Sequence, residues 1–166
     1  MTIKYGIGPS SVGKLLVAKS EKGLCAVQVR GTEEEMERSL RERYADTIVL
    51  RDEKAVAPLR KLVLASIAGK PLPRKLDLDI QGTEFQRSVW SELRRIPSGA
   101  TRSYADIAKA IGKPNATRAV ANACGANPLP VLVPCHRVIA KDGTIGGYTG
   151  GLKIKRALLD AEGVRL

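Results

Sequence analysis

Residues 103–125 read SYADIAKAIGKPNATRAVANACG, and this stretch predicts a helix-turn-helix. Ser103 can cap a first short helix over Tyr104–Ile111, which ends at Gly112. A second helix is predicted from Pro114 to about Cys124, because proline is favoured at the first position of a helix. Small side chains line this second helix and would let its backbone approach another surface closely: Ala116, Ala119, Ala121 and Ala123.

The charge of the chain is strongly basic. Among its 166 residues, 28 Lys and Arg stand against 17 Asp and Glu, for a formal net charge of +11, and residues 82–166 hold 13 basic and 6 acidic side chains. Such a surface attracts polyanions, although basic charge can equally serve solubility alone. One Trp, one Phe and four Tyr are too few for a row of stacking platforms, so a nucleic-acid partner would be a duplex.

Residues 1–81 predict a small α/β domain whose last part, over 70–81, is a connector. Short apolar runs separated by turn residues predict three strands: Tyr5–Gly8, Leu15–Ala18 and Leu24–Val29. Thr32 and Glu35 form a capping-box pattern ahead of a helix that runs to about Tyr44. A fourth strand and a second helix follow in the pattern: Ile48–Leu50 and Pro58–Ala68.

Residues 82–166 predict a mainly helical second domain built around the helix-turn-helix. Its other helices are expected at Thr83–Arg95 and Leu152–Glu162, where apolar residues recur with helical spacing. The apolar run Val131–Val133 predicts a short buried strand that stops at Pro134. A glycine-rich loop over 146–151 precedes the last helix.

Cys135 and His136 are the residues that could carry chemistry, directly after Pro134 at the end of that predicted strand. A cysteine thiolate is a nucleophile, and an adjacent histidine can accept the thiol proton directly or through water. The same pair could instead be a core cysteine beside a structural histidine, which is a common arrangement. The nearby glycine-rich loop and the predicted helix-turn-helix, a motif that binds DNA, favour the interpretation of Cys135 as a nucleophile.

The cysteines give no sign of a metal site or a disulfide framework. Cys25, Cys124 and Cys135 form no CxxC pair, and a tetrahedral zinc site would need all three together with His136. We therefore expect no metal and no cofactor, and interpret Cys25 and Cys124 as packing residues.

No apolar run approaches the roughly 20 residues of a membrane span. The N-terminus lacks the pattern of a signal peptide, so we expect a cytoplasmic protein with no membrane partner.

The segment Pro134–Ile139, PCHRVI, resembles the PCHRV signature of the O6-alkylguanine-DNA alkyltransferases (methylated-DNA–protein-cysteine methyltransferases). Further motifs of this family occur in its order and spacing: Gly82–Gln86, Val89–Trp90, Ile96–Pro97, Ser103–Tyr104, Arg118–Val120, Ala126–Pro128, Gly147–Tyr148 and the closing set Lys155, Leu158, Leu159 and Glu162. The first half resembles the family less sharply and is most similar to the C-terminal alkyltransferase half of bacterial Ada, the adaptive-response protein. The resemblance implies an α/β (α+β) fold, in which a ribonuclease H-like sheet precedes a winged helix-turn-helix.

The resemblance also implies a reaction and the residues that perform it. Cys135 would take the alkyl group from O6 of guanine, and also from O4-methylthymine, in double-stranded DNA, irreversibly and once per molecule. His136 would act through water as the base, and Glu162 would orient it. Asn127 would brace the turn that presents the cysteine, and Tyr104 would donate a proton toward the leaving guanine. We expect a monomer that is nucleoid-associated when bound to DNA.

The family's DNA contacts map onto the second helix of the helix-turn-helix. This helix would enter the minor groove, and Arg118 would fill the space left by the flipped nucleotide. Arg118 could also be a simple phosphate contact. The small residues beside it would allow the close approach: Ala116, Thr117 and Ala119.

The family's substrate pocket maps onto the glycine-rich loop and its neighbours. The flexible loop Gly146–Thr149 would close one wall of the pocket, and Thr149 and the Val138 backbone would read the edge of the base. Pro130 and Tyr148 would pack beside the alkyl group. Two positions depart from frequent family patterns, since Thr149 stands where serine is frequent and Gly147 where a larger residue often sits. The width of the pocket stays open.

Two other classes of protein remain to be distinguished. A DNA-binding damage sensor could carry the Cys135–His136 pair for structural reasons only. A cysteine hydrolase would turn over many times and would not need DNA. The zinc-binding sensor and the regulatory helix-turn-helix of full-length adaptive-response proteins find no counterpart in this sequence, so we expect no transcriptional self-activation.

Overall fold

The computed structural model describes residues 1–166, and a four-stranded sheet organises its first half. The strands β1 (Thr2–Ser10), β2 (Gly13–Ser20) and β3 (Gly23–Gln28) form an antiparallel meander. The short strand β4 (Ile48–Arg51) pairs in parallel with β1, so the strand order is β3-β2-β1-β4. The four predicted strands are therefore confirmed. Strands β1 and β2 extend at both ends beyond the apolar runs that predicted them.

Two helices complete this half. Helix α1 (Glu33–Arg43) begins with the predicted capping box, in which the Glu35 backbone N–H donates to Thr32 Oγ1 at 3.1 Å. Helix α2 (Glu53–Ile67) begins well before the predicted start at Pro58, so that prediction was wrong. Asp52 caps the helix, accepting from the Ala55 N–H at 3.1 Å, and Pro58 lies inside it. A strong N-cap signal outweighed the preference of proline for the first turn.

The predicted connector over 70–81 is confirmed as irregular chain, but it is not loose. The Leu24 N–H donates to the Asp77 carbonyl at 3.0 Å, and the Asp79 N–H donates back to the Leu24 carbonyl at 2.7 Å. Ser20 Oγ also donates to Asp79 Oδ2 at 2.5 Å. The connector thus pairs the backbone of Leu24 at the β3 edge of the sheet, and farther along this edge the Val27 N–H donates to the Pro128 carbonyl at 2.9 Å.

Four helices and a two-stranded parallel pair form the second half. The helices are α3 (Glu84–Leu93), α4 (Tyr104–Ala110), α5 (Thr117–Gly125) and α6 (Leu152–Ala161). The strands are β5 (Arg102–Ser103) and β6 (Val138–Ile139). Thr83 and Ser103 cap α3 and α4 through complete capping boxes. The helix-turn-helix of α4 and α5 with its small sheet confirms the predicted fold class.

Two expectations for this half were wrong. Helix α5 starts at Thr117 rather than at Pro114, because residues 113–116 close a turn in which the Ala116 N–H donates to the Lys113 carbonyl at 2.9 Å. The run Val131–Val133 is a turn and not a strand, and Val131 has a φ of 79°. The flanking prolines lack the N–H groups that a strand ladder needs: Pro128, Pro130 and Pro134.

The larger of two hydrophobic cores joins the two halves. It contains 23 buried residues, among them Val27 of β3, Val63 of α2, Trp90 of α3 and Leu158 of α6. The smaller core of 11 residues lies between the sheet and α1 and holds Cys25, as predicted. No helix combines the length and apolarity needed to cross a membrane. The division of the chain after Gln81 stays a prediction.

Candidate active site

Cys135 lies in a single 3-10 turn (Cys135–Arg137) between the turn at Val131 and strand β6. The residue is buried, with 3% of its surface exposed. Asn127 Nδ2 donates a hydrogen bond to Cys135 Sγ at 3.3 Å. The thiol is therefore held in place by an uncharged donor rather than by the neighbouring histidine.

Asn127 also shapes the backbone that leads to Cys135. Its Nδ2 donates to the Val133 carbonyl at 2.8 Å, and its Oδ1 accepts from the Leu129 N–H at 2.9 Å. These two bonds span the turn that contains Val131, a β-branched residue in the left-handed region, where such residues are strained. One buried side chain thus braces both the turn and the thiol.

His136, the next residue in the chain after Cys135, forms a buried pair with Glu162. His136 Nε2 lies 3.1 Å from Glu162 Oε2, and the two side chains are 2% and 3% exposed. An ionised carboxylate can only accept hydrogen bonds, so Nε2 carries the proton in this pair. His136 Nδ1, which is buried without a partner, then keeps its lone pair free to accept a proton.

Arg137 holds the carboxylate of Glu162 from the other side. Its Nη2 and Nε atoms donate to Glu162 Oε2 at 2.6 Å and to Oε1 at 2.9 Å, and its Nη1 donates to the Ile96 carbonyl at 2.7 Å. Burial of Glu162 raises its pKa, but the hydrogen bonds from Arg137 and His136 outweigh this and lower the pKa to about 2. Glu162 is therefore ionised throughout the physiological pH range.

Burial keeps Cys135 and His136 uncharged in the free protein. Desolvation raises the pKa of Cys135 to about 11, against the opposing effects of the Asn127 hydrogen bond and the Lys155 charge. Desolvation also lowers the pKa of His136 below its ordinary value of 6.5, although Glu162 opposes this shift. The resting pair is thus a thiol beside a neutral imidazole, which is the form of histidine that can act as a base.

Lys155 is fully buried in α6, and sequence reasoning assigned it no role. Its Nζ donates to the Val138 carbonyl at 2.6 Å and to the Gly147 carbonyl at 2.9 Å. Burial lowers its pKa from 10.5 to about 8. Helical spacing could have revealed it, because Lys155 shares a face with Leu158, Leu159 and Glu162.

A cavity of about 490 Å³ opens over Cys135. Its lining includes five residues predicted for the site, Tyr104, Cys135, Gly147, Tyr148 and Thr149, and three that were not, Ala121, Cys124 and Gly125. Tyr104 Oη donates to the Gly147 carbonyl at 3.4 Å, and Thr149 Oγ1 donates to the Gly125 carbonyl at 3.1 Å. The buried hydroxyl of Tyr148 has no partner.

Three other predicted pocket residues lie elsewhere. Pro130 is buried and lines a separate groove next to the cavity. Val138 lies behind the cavity, and its carbonyl is occupied by Lys155. Gly146 adopts a φ of 70° beside Tyr104, where an added Cβ would come within 3.3 Å of the tyrosine hydroxyl. Thr149 lines the cavity, but its hydroxyl is used on Gly125 rather than being free.

Helix α5 presents an open face next to this cavity. Thr117, Arg118 and Ala119 are exposed, whereas Ala116 at its N-terminus is half-buried. Ala121 is exposed and also lines the cavity, so the helix surface is continuous with the cavity that contains Cys135. Trp90 of α3 holds α5 in place, because its Nε1 donates to the Ala123 carbonyl at 2.8 Å.

Comparison with known families finds two matching domains. Residues 3–80 match the family described as 6-O-methylguanine DNA methyltransferase, ribonuclease-like domain. Residues 84–164 match the family described as 6-O-methylguanine DNA methyltransferase, DNA binding domain. Together the two matches cover nearly all of the chain.

Individual relatives agree with these matches. The chain is 40% identical to the Bifunctional transcriptional activator/DNA repair enzyme Ada of Escherichia coli, across 98% of this chain but only 46% of that protein, so it spans about half of that relative's length. It is 42% identical to the methylated-DNA–protein-cysteine methyltransferase of Methanosarcina acetivorans, over 96% of this chain and 97% of that one. The structure of Mycobacterium tuberculosis OGT in complex with DNA superposes with a TM-score of 0.81 and 36% identity, covering 96% of this chain and 92% of that one.

Proposed function

Because the chain belongs to the 6-O-methylguanine DNA methyltransferase family, we propose that it repairs DNA by moving the alkyl group from O6 of guanine to Sγ of Cys135. The position of Cys135 is the observation that carries this proposal, since it lines an open cavity and the next residue in the chain, His136, is paired with Glu162. The carbon–O6 bond breaks as the carbon–sulfur bond forms. A thioether is a stable product, so each molecule acts once.

The thiol must lose its proton at the moment of attack. Neutral His136 takes this proton through a water molecule at Nδ1, and the ionised carboxylate of Glu162 stabilises the imidazolium that results. The developing thiolate is stabilised by the Asn127 amide and by the positive charge of Lys155. Burial thus keeps the cysteine inert until a substrate fills the cavity.

The leaving guanine needs a proton in return. Tyr104 faces the cavity, and burial raises the pKa of its hydroxyl, which therefore stays protonated and able to donate. A neutral base leaves more readily than its anion. Tyr104 then regains a proton from solvent or from the proton that His136 accepted, so the reaction is balanced overall.

The substrate is double-stranded DNA that carries O6-alkylguanine, with O4-methylthymine as a second lesion. The exposed face of α5 enters the minor groove, where its small side chains allow close approach, and Arg118 occupies the place of the flipped nucleotide. Tyr148 and Thr149 border the alkyl group. The protein acts as a monomer and is associated with the nucleoid, in the cytoplasm, when bound to DNA.

The mass of the intact protein after mixing with a duplex that contains one O6-methylguanine tests this function. We expect a gain of one methylene, located in the peptide with Cys135 and saturating at one per molecule. An unchanged mass would contradict the proposal. Repeated turnover without DNA would instead indicate a hydrolase.

The variant Cys135→Ala separates repair from binding. It should lose transfer and still bind DNA. A damage-sensing module would retain all of its activity in this variant, which would return Cys135 to the structural cysteines.

A further inference from the structure

A second groove, of about 520 Å³, runs from the active site to the N-terminal half of the chain. One side is formed by the end of β3 and by α1, and the other by residues 125–130 with Thr149 and Gly150. Nothing in the reaction described above uses the residues of the first half. In the groove, that half lies next to two residues of the active cavity, Gly125 and Thr149.

The groove and the Cys135 cavity are neighbours that share two residues, Gly125 and Thr149. A hydrogen bond from Thr149 Oγ1 to the Gly125 carbonyl joins these two residues at the border between the groove and the cavity. Both residues are exposed, and a Cβ added at Gly125 would meet no atom within 4 Å, so no bulky side chain stands there. A flexible chain attached to Cys135 or to O6 of a bound guanine can pass this point.

The far part of the groove carries positive charge. Arg30 and Arg43 line it, both are exposed, and neither forms an ion pair or a side-chain hydrogen bond in the structure. The one carboxylate in the lining is that of Glu35, which already accepts from the Thr32 N–H at 3.2 Å. Two free guanidinium groups against one engaged carboxylate make this end of the groove suited to an anion.

We propose that the groove is an extended subsite for large O6 adducts, and that Arg30 and Arg43 favour adducts whose alkyl chain ends in a carboxylate. This inference rests on the proposed function and adds a substrate class to it. The reaction is unchanged: the first carbon of the chain bonds to Sγ, its bond to O6 breaks, and guanine leaves with a proton. The terminal carboxylate stays ionised and takes no part in the bond changes.

Matched substrates test this subsite. The probes are duplexes with an O6-alkylguanine whose linker of two, four or six methylene groups ends either in a carboxylate or in the neutral carboxamide, and O6-methylguanine is the reference. At one linker length we expect the carboxylate to be transferred about threefold faster than the carboxamide, the size of effect that exposed charge pairs allow. The same preference should appear with the free modified bases, which lack phosphates.

Two double variants, each of which removes two positive charges, test whether the preference for the carboxylate comes from the groove. The double variant Arg30→Gln/Arg43→Gln should bring the carboxylate-to-carboxamide ratio to about one while leaving methyl transfer unchanged. The control Arg38→Gln/Arg74→Gln removes two exposed arginines that do not line the groove and should retain the ratio.

Three other results would each contradict a specific claim. A ratio of one at every linker length in the unmodified protein, with normal methyl transfer, would overturn the subsite and leave the proposed function intact. An equal loss for all duplex substrates in the double variant, with no loss for free bases, would show that the two arginines bind the DNA backbone instead. Absence of methyl transfer would overturn the proposed function itself.

Discussion

Lys155 Nζ lies 2.6 Å from the carbonyl oxygen of Val138, three residues after the active cysteine. The same ammonium group donates to the carbonyl of Gly147, in the loop that borders the cavity. One buried cation in α6 thus ties the strand behind Cys135 to the glycine-rich loop. It also brings a positive charge close enough to lower the pKa of the thiol against the effect of burial.

Replacing Lys155 by Met should therefore impair both the fold and the reaction. The carbonyls of Val138 and Gly147 would lose their donor, and a buried unpaired carbonyl costs about 1–3 kcal/mol. We expect the free energy of unfolding to fall by about 2 kcal/mol and alkyl transfer to slow, because the thiolate loses a stabilising charge. Urea titration and single-turnover rates measure the two effects. The exposed neighbour Lys153→Met should change neither, and equal effects of both variants would refute the role of Lys155.

The ionised carboxylate of Glu162 makes the stability depend on pH. Its pKa is about 2 in the folded protein and 4.5 ordinarily, so the stabilisation is complete above pH 4.5 and is lost as the pH falls toward 2. A shift of this size corresponds to about 3 kcal/mol. Unfolding free energies measured across this range should decline, and Glu162→Gln should flatten the decline while slowing transfer at neutral pH. An unchanged slope in the variant would place the titration on other carboxylates.

Val131 offers a test of backbone strain in the turn before Cys135. Both Val131 and Val133 are buried, but only Val131 has a positive φ, of 79°. Glycine adopts this conformation freely, and a residue held there costs about 1–3 kcal/mol. Val131→Gly should therefore destabilise the protein less than Val133→Gly, by about that amount in thermal or urea unfolding. Equal losses would mean that the turn is not strained.

Arg118 should matter only when a nucleotide has to leave the duplex. Arg118→Ala removes the side chain that we propose to fill the vacated space, so the flipped state should lose stability. We expect transfer from duplex DNA to slow at least tenfold, while reaction with free O6-benzylguanine stays unchanged. Arg94→Ala, an exposed arginine outside α5, is the control. Equal losses on both substrates would argue against the role in flipping.

Short sequence patterns correctly predicted structure that depends on neighbouring residues, such as the N-terminal caps of helices. The capping boxes at Thr32, Thr83 and Ser103 are all present, since each depends on groups only three residues apart. The predicted start of α2 at Pro58 was wrong, because Asp52 caps the helix more than a turn earlier and the helix continues through Pro58. The predicted strand at Val131–Val133 failed because apolar residues indicate burial, and burial alone does not provide a neighbouring strand.

The candidate site was predicted as a set of residue types but not as an arrangement. The Cys135–His136 neighbourhood and the partner Glu162 followed from the motif and the family resemblance. Pro130, expected beside the alkyl group, lines the groove next to the cavity, and Val138, whose backbone was expected to read the base edge, accepts a hydrogen bond from Lys155 at its carbonyl. The contacts of Arg137 and Lys155 were not foreseen, because lysine and arginine in a basic chain are usually solvated.

The sequence by itself determined the family and the helix-turn-helix and singled out Cys135 as the proposed nucleophile, because motif spacing and capping patterns act over a few residues. Tertiary structure alone decided the charge state of the site. Cys135 and Glu162 are 27 positions apart, and only their common burial beside Asn127, Arg137 and Lys155 sets which groups are protonated. Desolvation depends on everything packed around a group, and no short stretch of sequence contains that information.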